Sequence, residues 1–362
     1  MLKSFKVSGF TSIIDPISIN FMAPENRRIK NTKYEDNFFE NRIAKSVVLF
    51  GGNATGKTNI LKAVNKICNI IQNGLNSNNA NDIKNIEKYE IEFLIDKSIY
   101  SYILEFSSEK LIYEKLSKNS EQIYEFKNDK LTFKSKKDFE AIFSVVSKDT
   151  ILYKLSDNKV EDINNVIRET DNVAFSETLN SFEVISNFEP IVFDEENREY
   201  FKQHKDEILE IVKILDNSID DYCFFPFNGG YVLQFIRNFR GFFLDKESSG
   251  IKKIFSLVKK IVSNLKLNAS SIMLIDELDS SISTTSLIRL LNGFINSSIN
   301  TKAQFIVTSH NPLIFDTNML SPTQIYIVGK EDCKTTIKCL DEFELRNDKR
   351  KAYLNYLRGD YE

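Results

Sequence analysis

The sequence lacks any apolar run near the roughly 18 residues that a membrane span requires. Its longest, such as Val47-Val48-Leu49-Phe50 and Ile272-Met273-Leu274-Ile275, are strand-sized. Met1-Leu2-Lys3-Ser4-Phe5-Lys6 has none of the apolar character of an export signal, so a cytoplasmic location with no membrane partner is expected. Cysteine is scarce: Cys68, Cys223, Cys333 and Cys339 form no CxxC pair and no secreted-framework spacing, as expected for reduced thiols. Neither sign of charge dominates. With 48 Lys and Arg against 51 Asp and Glu, the formal net charge is −3, which excludes a uniformly basic nucleic-acid coat but not a local groove. Also missing are three consecutive heptads, an internal repeat, zinc-ligand spacing, an acid–acid–Lys nuclease pattern and a Ser/His/Asp set. What remains is ordinary globular composition, 42% hydrophobic and 27% charged over 362 residues, enough for a large α/β domain with a sizeable core.

Leu2 to Phe21 reads as one or two strands, and Ala23 to Ala44 as a polar surface insertion. Ser46 to Phe50 has the β-branched, apolar character of a strand buried on both faces. A glycine-rich stretch follows, and then Ile60, Leu61, Val64, Ile67, Cys68 and Ile71 recur at helical spacing. Segments between Tyr89 and Leu116 alternate with a period near two, which predicts an antiparallel lobe. Asn119 to Asp221 reads as mostly helical, with one amphipathic helix marked by Phe201, His204, Ile208, Ile211, Val212 and Leu215. Asn228-Gly229-Gly230 predicts a hairpin. The last third returns to α/β character: a helix from Ile251, strands at Ile272–Ile275 and Ala303–Thr308, and a charged, helical tail beyond Asp341.

Gly51-Gly52-Asn53-Ala54-Thr55-Gly56-Lys57-Thr58 fits G-x-x-x-x-G-K-[ST] between a strand and a helix. Its glycines let successive N–H groups from about Asn53 to Thr58 converge on a phosphate chain. Lys57 would bridge the β- and γ-phosphates, and the Thr58 hydroxyl would ligate Mg²⁺. Asp276, ending an apolar strand, would hold Mg²⁺ directly or through water, and Glu277 would activate the attacking water. His310, one of only two histidines, follows the next strand and can hydrogen-bond a γ-phosphate. Glu247-Ser248-Ser249-Gly250 precedes a helix and is either an ordinary N-cap or an anion site.

This order of phosphate loop, Ser-Ser-Gly, Asp-Glu and His resembles ABC-type ATPases. It is most similar to the small prokaryotic ABC-type AAA-family ATPases of abortive-infection loci, relatives of the overcoming-lysogenization-defect and chromosome-maintenance ATPases. The resemblance rests on Gly9-Phe10-Thr11-Ser12, Gly51 to Asn59, Glu247 to Gly250, Asp276 to Ser281, Ser309-His310 and the Tyr353 to Tyr361 tail. It implies an α/β fold with a mixed central sheet, an antiparallel β lobe and a mostly helical insertion. It also implies ATP and Mg²⁺ as cofactors, ATP hydrolysis, and a homodimer or higher homo-oligomer. In that assembly Ser248, Ser249 and Gly250 complete the partner's ATP site, and Asp279 and Ser281 lie at the dimer interface. The ATP-binding residues are then Gly51, Asn53, Ala54, Thr55, Gly56, Lys57, Thr58 and Asn59. Glu277, His310 and Lys57 are catalytic, and Thr58 and Asp276 hold the metal. Residues 1–118 and 222–362 form the two halves of the ATPase domain, with 119–221 inserted between them. We expect the phosphate-loop and Asp-Glu strands side by side at the sheet centre. Members of the family it resembles usually carry Leu-His where this chain has Ile282-Ser283 and often Arg at Thr11, and no glutamine lever is assignable.

The expected function is an ATPase sensor of an anti-phage system that controls a separately encoded effector. The alternative is a chromosome-maintenance-like ATPase that clamps DNA, nucleic acid being a possible partner. A third reading, a small-molecule P-loop kinase, requires a phosphate acceptor. Three further patterns have plainer explanations. Arg198 and His204 have the spacing of a helical ribonuclease family, but a packed histidine on an apolar face accounts for them. Arg237 and Arg240 among Phe235, Phe239, Phe242 and Phe243 suit either a nucleic-acid groove or ordinary strand alternation. Arg346 and Lys349-Arg350-Lys351 read as a solvated helix face.

Overall fold

The computed structural model describes residues 1–25, 29–75, 86–107, 110–133, 149–155, 161–171, 173–176, 191–266, 270–280, 282–311, 319–343, 356 and 358. The chain opens with β1 (Leu2–Ser8), β2 (Ile17–Asn20), β3 (Ser46–Phe50) and α1 (Lys57–Asn73). Next come β4 (Glu87–Ile95), β5 (Ser98–Phe106), β6 (Leu111–Lys118), β7 (Glu121–Lys127) and β8 (Lys130–Phe133). The middle holds α2 (Ile151–Leu155), α3 (Glu161–Asp171), β9 (Val173–Ser176), β10 (Val192–Phe193), α4 (Glu195–Gln203) and α5 (Lys205–Leu215). Then follow β11 (Asp221–Phe227), β12 (Gly230–Arg237), β13 (Arg240–Phe243) and α6 (Ser249–Lys266). The chain closes with β14 (Ser271–Ile275), α7 (Thr284–Leu290), β15 (Ala303–Ser309), β16 (Ile325–Glu331) and β17 (Lys334–Cys339).

The central sheet is mixed, in the order β17-β16-β3-β15-β14-β9. Every residue of β3, β14 and β15 is buried, as their unbroken apolar runs require of strands covered on both faces. Alternate residues feed two separate cores. Val47, Leu49, Ile272, Leu274 and Ile306 pack with α1 and the antiparallel lobe. Val48, Phe50, Met273, Ile275, Phe305 and Val307 pack on the other face with residues of α5, α6 and α7. The phosphate-loop strand and the Asp-Glu strand are not neighbours, contrary to expectation: β15 lies between them, paired parallel to both. This insertion brings Thr308, Ser309 and His310 between the two motifs. The sequence order of strands carries no record of it, because β15 comes last of the three.

A seven-stranded antiparallel sheet, β2-β1-β4-β5-β6-β7-β8, forms the lobe. It runs past the expected edge near residue 118 through β7 and β8, so the start of the segment expected as mostly helical is sheet. The far end of that segment also contributes strands: β9 joins the central sheet and β10 pairs with β12. Two-residue turns with both residues at positive φ explain the difference: Asp96-Lys97, Asn119-Ser120, Asn128-Asp129, Asn238-Phe239 and Asp332-Cys333 all close hairpins, as does Asn228-Gly229. Only the last carries the glycine that makes such a turn legible. The helix expected through Phe201 and Leu215 is two helices, broken at His204, whose ring packs 4.5 Å from that of Tyr200. The expected tail helix falls almost wholly outside the described residues. Among the described residues no helix is long and apolar enough to cross a membrane.

Candidate functional site

The site forms at the C-terminal ends of β3, β14 and β15, where an open α/β sheet presents its loops. Gly51 to Gly56 leaves β3 and delivers the chain to the N-terminus of α1. Ala54 at φ 59° and Gly56 at φ 108° give the loop its left-handed turns. A Cβ on Gly56 would lie 2.1 Å from Thr335 Oγ1, so the position demands glycine on steric grounds as well. No side chain caps α1, and its first turn holds no acidic residue, so its free amides and positive dipole end face the loop. Lys57, 5% exposed, donates to the carbonyls of Gly51 (2.9 Å) and Gly52 (2.7 Å), and its Nζ lies 3.5 Å from His310 Nδ1. Burial pushes its pKa below the usual lysine value, opposed by the carboxylates of Asp276, Asp279 and Glu277.

β17 and the turn after β1 buttress the loop. Thr335 Oγ1 donates to the Thr55 carbonyl (2.9 Å) and lies 2.7 Å from Ser12 Oγ, which accepts from Asn59 Nδ2 (2.8 Å). Thr11 beside it stands at φ 48° with Oγ1 buried and without a hydrogen-bond partner among the described residues.

One hydroxyl organises the acidic side. Thr308 Oγ1 donates to Asp276 Oδ1 (2.6 Å) and accepts the Glu277 N–H (2.7 Å). The other Asp276 oxygen accepts from Thr58 Oγ1 (2.7 Å), so the hydroxyl and carboxylate expected to share a metal are in contact. That pair of hard oxygen donors fits Mg²⁺, which keeps waters and phosphate oxygens as its remaining ligands. Glu277 itself sits at φ 47°, a left-handed conformation uncommon for a residue other than glycine. The Asp279 carboxylate accepts the His310 N–H at 2.9 Å through Oδ2, while Oδ1 is buried with no hydrogen-bond partner among the described residues. Ser281, the other expected interface residue, lies outside the described residues. Ser283 caps α7 by accepting from the Ser286 N–H.

Ser248, Ser249 and Gly250 stand at the start of α6. Ser248 Oγ accepts the Ile251 N–H (3.4 Å), and the two serines are exposed while Gly250 is buried. Among the described residues no hydrogen bond joins these three to the phosphate loop. Two braces around them escape a reading of the sequence. The Arg237 guanidinium grips Glu247 through Nη1 (2.5 Å) and Nη2 (3.0 Å) and Asp216 through Nε (3.1 Å) and Nη2 (2.9 Å). It is therefore an internal clamp on the loop before α6. Lys253, one turn into α6, donates to the Glu277 carbonyl, the Ser280 carbonyl (2.9 Å) and Ser280 Oγ (2.5 Å). Arg198 stacks 4.3 Å over the Tyr231 ring and pairs with Glu195, and His204 packs on Tyr200, so both residues are engaged in packing, in line with the plainer explanation.

Residues 46–316, well over half the chain, match the family described as "AAA domain, putative AbiEii toxin, Type IV TA system". The chain belongs to this AAA family. No curated protein matches it. Among solved structures, an SMC head bound to the C-winged helix domain of ScpA is 13% identical, with a TM-score of 0.50 over 96% of this chain and 99% of that one. The SMC head domain from Thermotoga maritima is 14% identical (TM-score 0.48; 93% and 98% covered). A Pyrococcus furiosus Smc head with an extended coiled coil, bound to the C-terminal domain of ScpA, is 12% identical (TM-score 0.49; 99% of each chain covered). This AAA-family chain thus has the fold of an ABC-type ATPase head.

Proposed function

We propose that this chain binds ATP with Mg²⁺ and hydrolyses it while two copies close around two nucleotides. The observation that carries this reading is the continuous contact from Thr58 through Asp276 and Thr308 to Glu277 at the N-terminus of α1. The amides of Asn53 to Asn59 receive the phosphates, and Lys57 turns from the loop carbonyls to the β- and γ-phosphate oxygens. Mg²⁺ held by Thr58 and Asp276 would neutralise charge that develops on the phosphates. Glu277 takes the proton of the attacking water as the bond from the γ-phosphorus to the bridging oxygen breaks and ADP leaves. His310, beside Lys57, hydrogen-bonds the γ-phosphate. Ser248, Ser249 and Gly250 of one copy present the N-terminus of α6 to the nucleotide of the other, with Asp279 and Ser281 at the joint. Loss of the γ-phosphate loosens the pair.

At the level of biology, the protein is the sensing or regulatory subunit of a bacterial anti-phage, abortive-infection system, acting in the cytoplasm on a separately encoded effector. The toxin and type IV wording of its family supports this reading. A DNA-clamping role in chromosome maintenance is the second reading, favoured by an SMC-head-like fold across 96% of the chain. It requires DNA binding by the ATP-bound form that weakens steeply with salt. The direct test of the chemistry is phosphate release from ATP with no acceptor present. Wild type is expected to turn over, and Lys57→Ala to lose nucleotide binding. Turnover only in the presence of an added phosphate acceptor would contradict the proposal.

A further inference from the structure

Lys253 is an unusual lysine. Among the described residues its three hydrogen bonds go to neutral acceptors, two backbone carbonyls and a hydroxyl, while the carboxylates of Asp276, Glu277 and Asp279 stand near without pairing directly to it. Burial accordingly pushes its pKa down to about 8. A half-buried ammonium with no carboxylate in contact among the described residues carries a desolvation cost, so its placement has to be explained by what it holds. It holds the backbone of Glu277. That residue's φ of 47° is maintained by three hydrogen bonds: Thr308 Oγ1 on its N–H, and the Ser280 N–H (2.9 Å) and Lys253 Nζ on its carbonyl. The first two come from the strand beside it and from its own turn. Lys253 alone comes from α6, the helix whose first turn is Ser249-Gly250.

We infer that Lys253 is a positioning residue that fixes the Glu277 backbone to α6, so that movement at the Ser249–Gly250 end is felt by the same subunit's hydrolytic glutamate. The inference rests on the proposed ATPase reading and extends it: whichever nucleotide engages the start of α6 adjusts the site behind that helix. A displacement of about 1 Å at a catalytic group can cost on the order of 10²-fold in rate without touching affinity.

The test uses the full chain with Lys253→Met, which keeps the stem and removes the donors, and Lys253→Arg, which restores a cation. Expected are a turnover about 10²-fold below wild type for the Met variant, an unchanged ATP Kd, and substantial recovery in the Arg variant. Hydrogen exchange of the amides from Glu277 to Ser280 should quicken in the Met variant even without nucleotide, a readout that does not depend on hydrolysis. Wild-type turnover and exchange in the Met variant would overturn the inference, as would a loss of ATP affinity that matches the loss of rate. If Lys253→Met fails to fold, exchange and turnover in Lys253→Arg decide: near-wild-type values in both support the brace, and loss of both overturns it. A wild-type chain that does not hydrolyse ATP at all would instead refute the ATPase reading, while the exchange measurement would still judge the brace.

Discussion

Thr308 shows how much of the site hangs on residues with no motif of their own. Its hydroxyl serves Asp276 and the Glu277 N–H together, so Thr308→Val strips partners from a buried carboxylate oxygen and a backbone donor at once. Each orphaned group costs about 1–3 kcal/mol. We expect Thr308→Val to lower ATP turnover by at least tenfold while Lys57 and its loop still bind nucleotide, and paired binding and turnover assays check this. Gly56→Ala should fail for a different reason, its Cβ driving into Thr335, and should weaken ATP binding itself. Gly51 to Thr58, Asp276-Glu277 and His310 were legible in the sequence because each motif is local and its chemistry fixes its spacing. Thr308, Lys253 and Arg237 were not. The partners of Thr308 and Lys253 lie 24 to 32 residues away in the chain, and those of Arg237 arrive from the C-cap of α5 and the loop before α6.

At the scale of elements, α1 is locked to the lobe by a buried ion pair. Lys66 Nζ lies 2.9 Å from both carboxylate oxygens of Glu87 on β4, with side chains 9% and 4% exposed. Lys66→Met leaves the glutamate buried without its cation and should destabilise the fold by about 3–5 kcal/mol. Adding Glu87→Gln should recover much of that loss, and denaturant midpoints of the two variants measure it. Glu114 on β6 is a buried carboxylate of another kind: it accepts from Tyr102, Tyr124 and the amides of Ile151 and Leu152. Burial raises its pKa, and those hydrogen bonds oppose the shift without cancelling it. The folded chain therefore holds a proton there at pH values where the unfolded chain has released it, and this contribution to stability declines as pH rises above the ordinary carboxylate range. Glu114→Gln should remove that slope, so the stability gap to wild type narrows with rising pH; a constant gap would contradict it. The strands around these pairs were legible from alternation, but their edges were not. Asn119-Ser120 and Asn128-Asp129 turn the chain without glycine or proline, and β9 finds β14 only across a long separation in sequence.

For the whole molecule, the sheet order is the feature that matters most. By separating β3 from β14, β15 brings Thr308 and His310 between the phosphate loop and the acidic pair. α6 then links the exposed Ser248-Ser249 end to the back of that cluster. α/β character and the order of motifs were readable, since apolar runs and glycine loops are written locally. Adjacency in a parallel sheet is set by long crossovers, and periodicity says nothing about it. The proposed function adds its own central claim, that a complete catalytic pocket needs two copies. The most direct measurement is the solution mass of Glu277→Gln with and without saturating Mg²⁺ and ATP, beside Lys57→Ala. The account predicts that Glu277→Gln doubles its mass only with nucleotide and that Lys57→Ala never does; a Glu277→Gln chain that binds ATP and stays monomeric would contradict it.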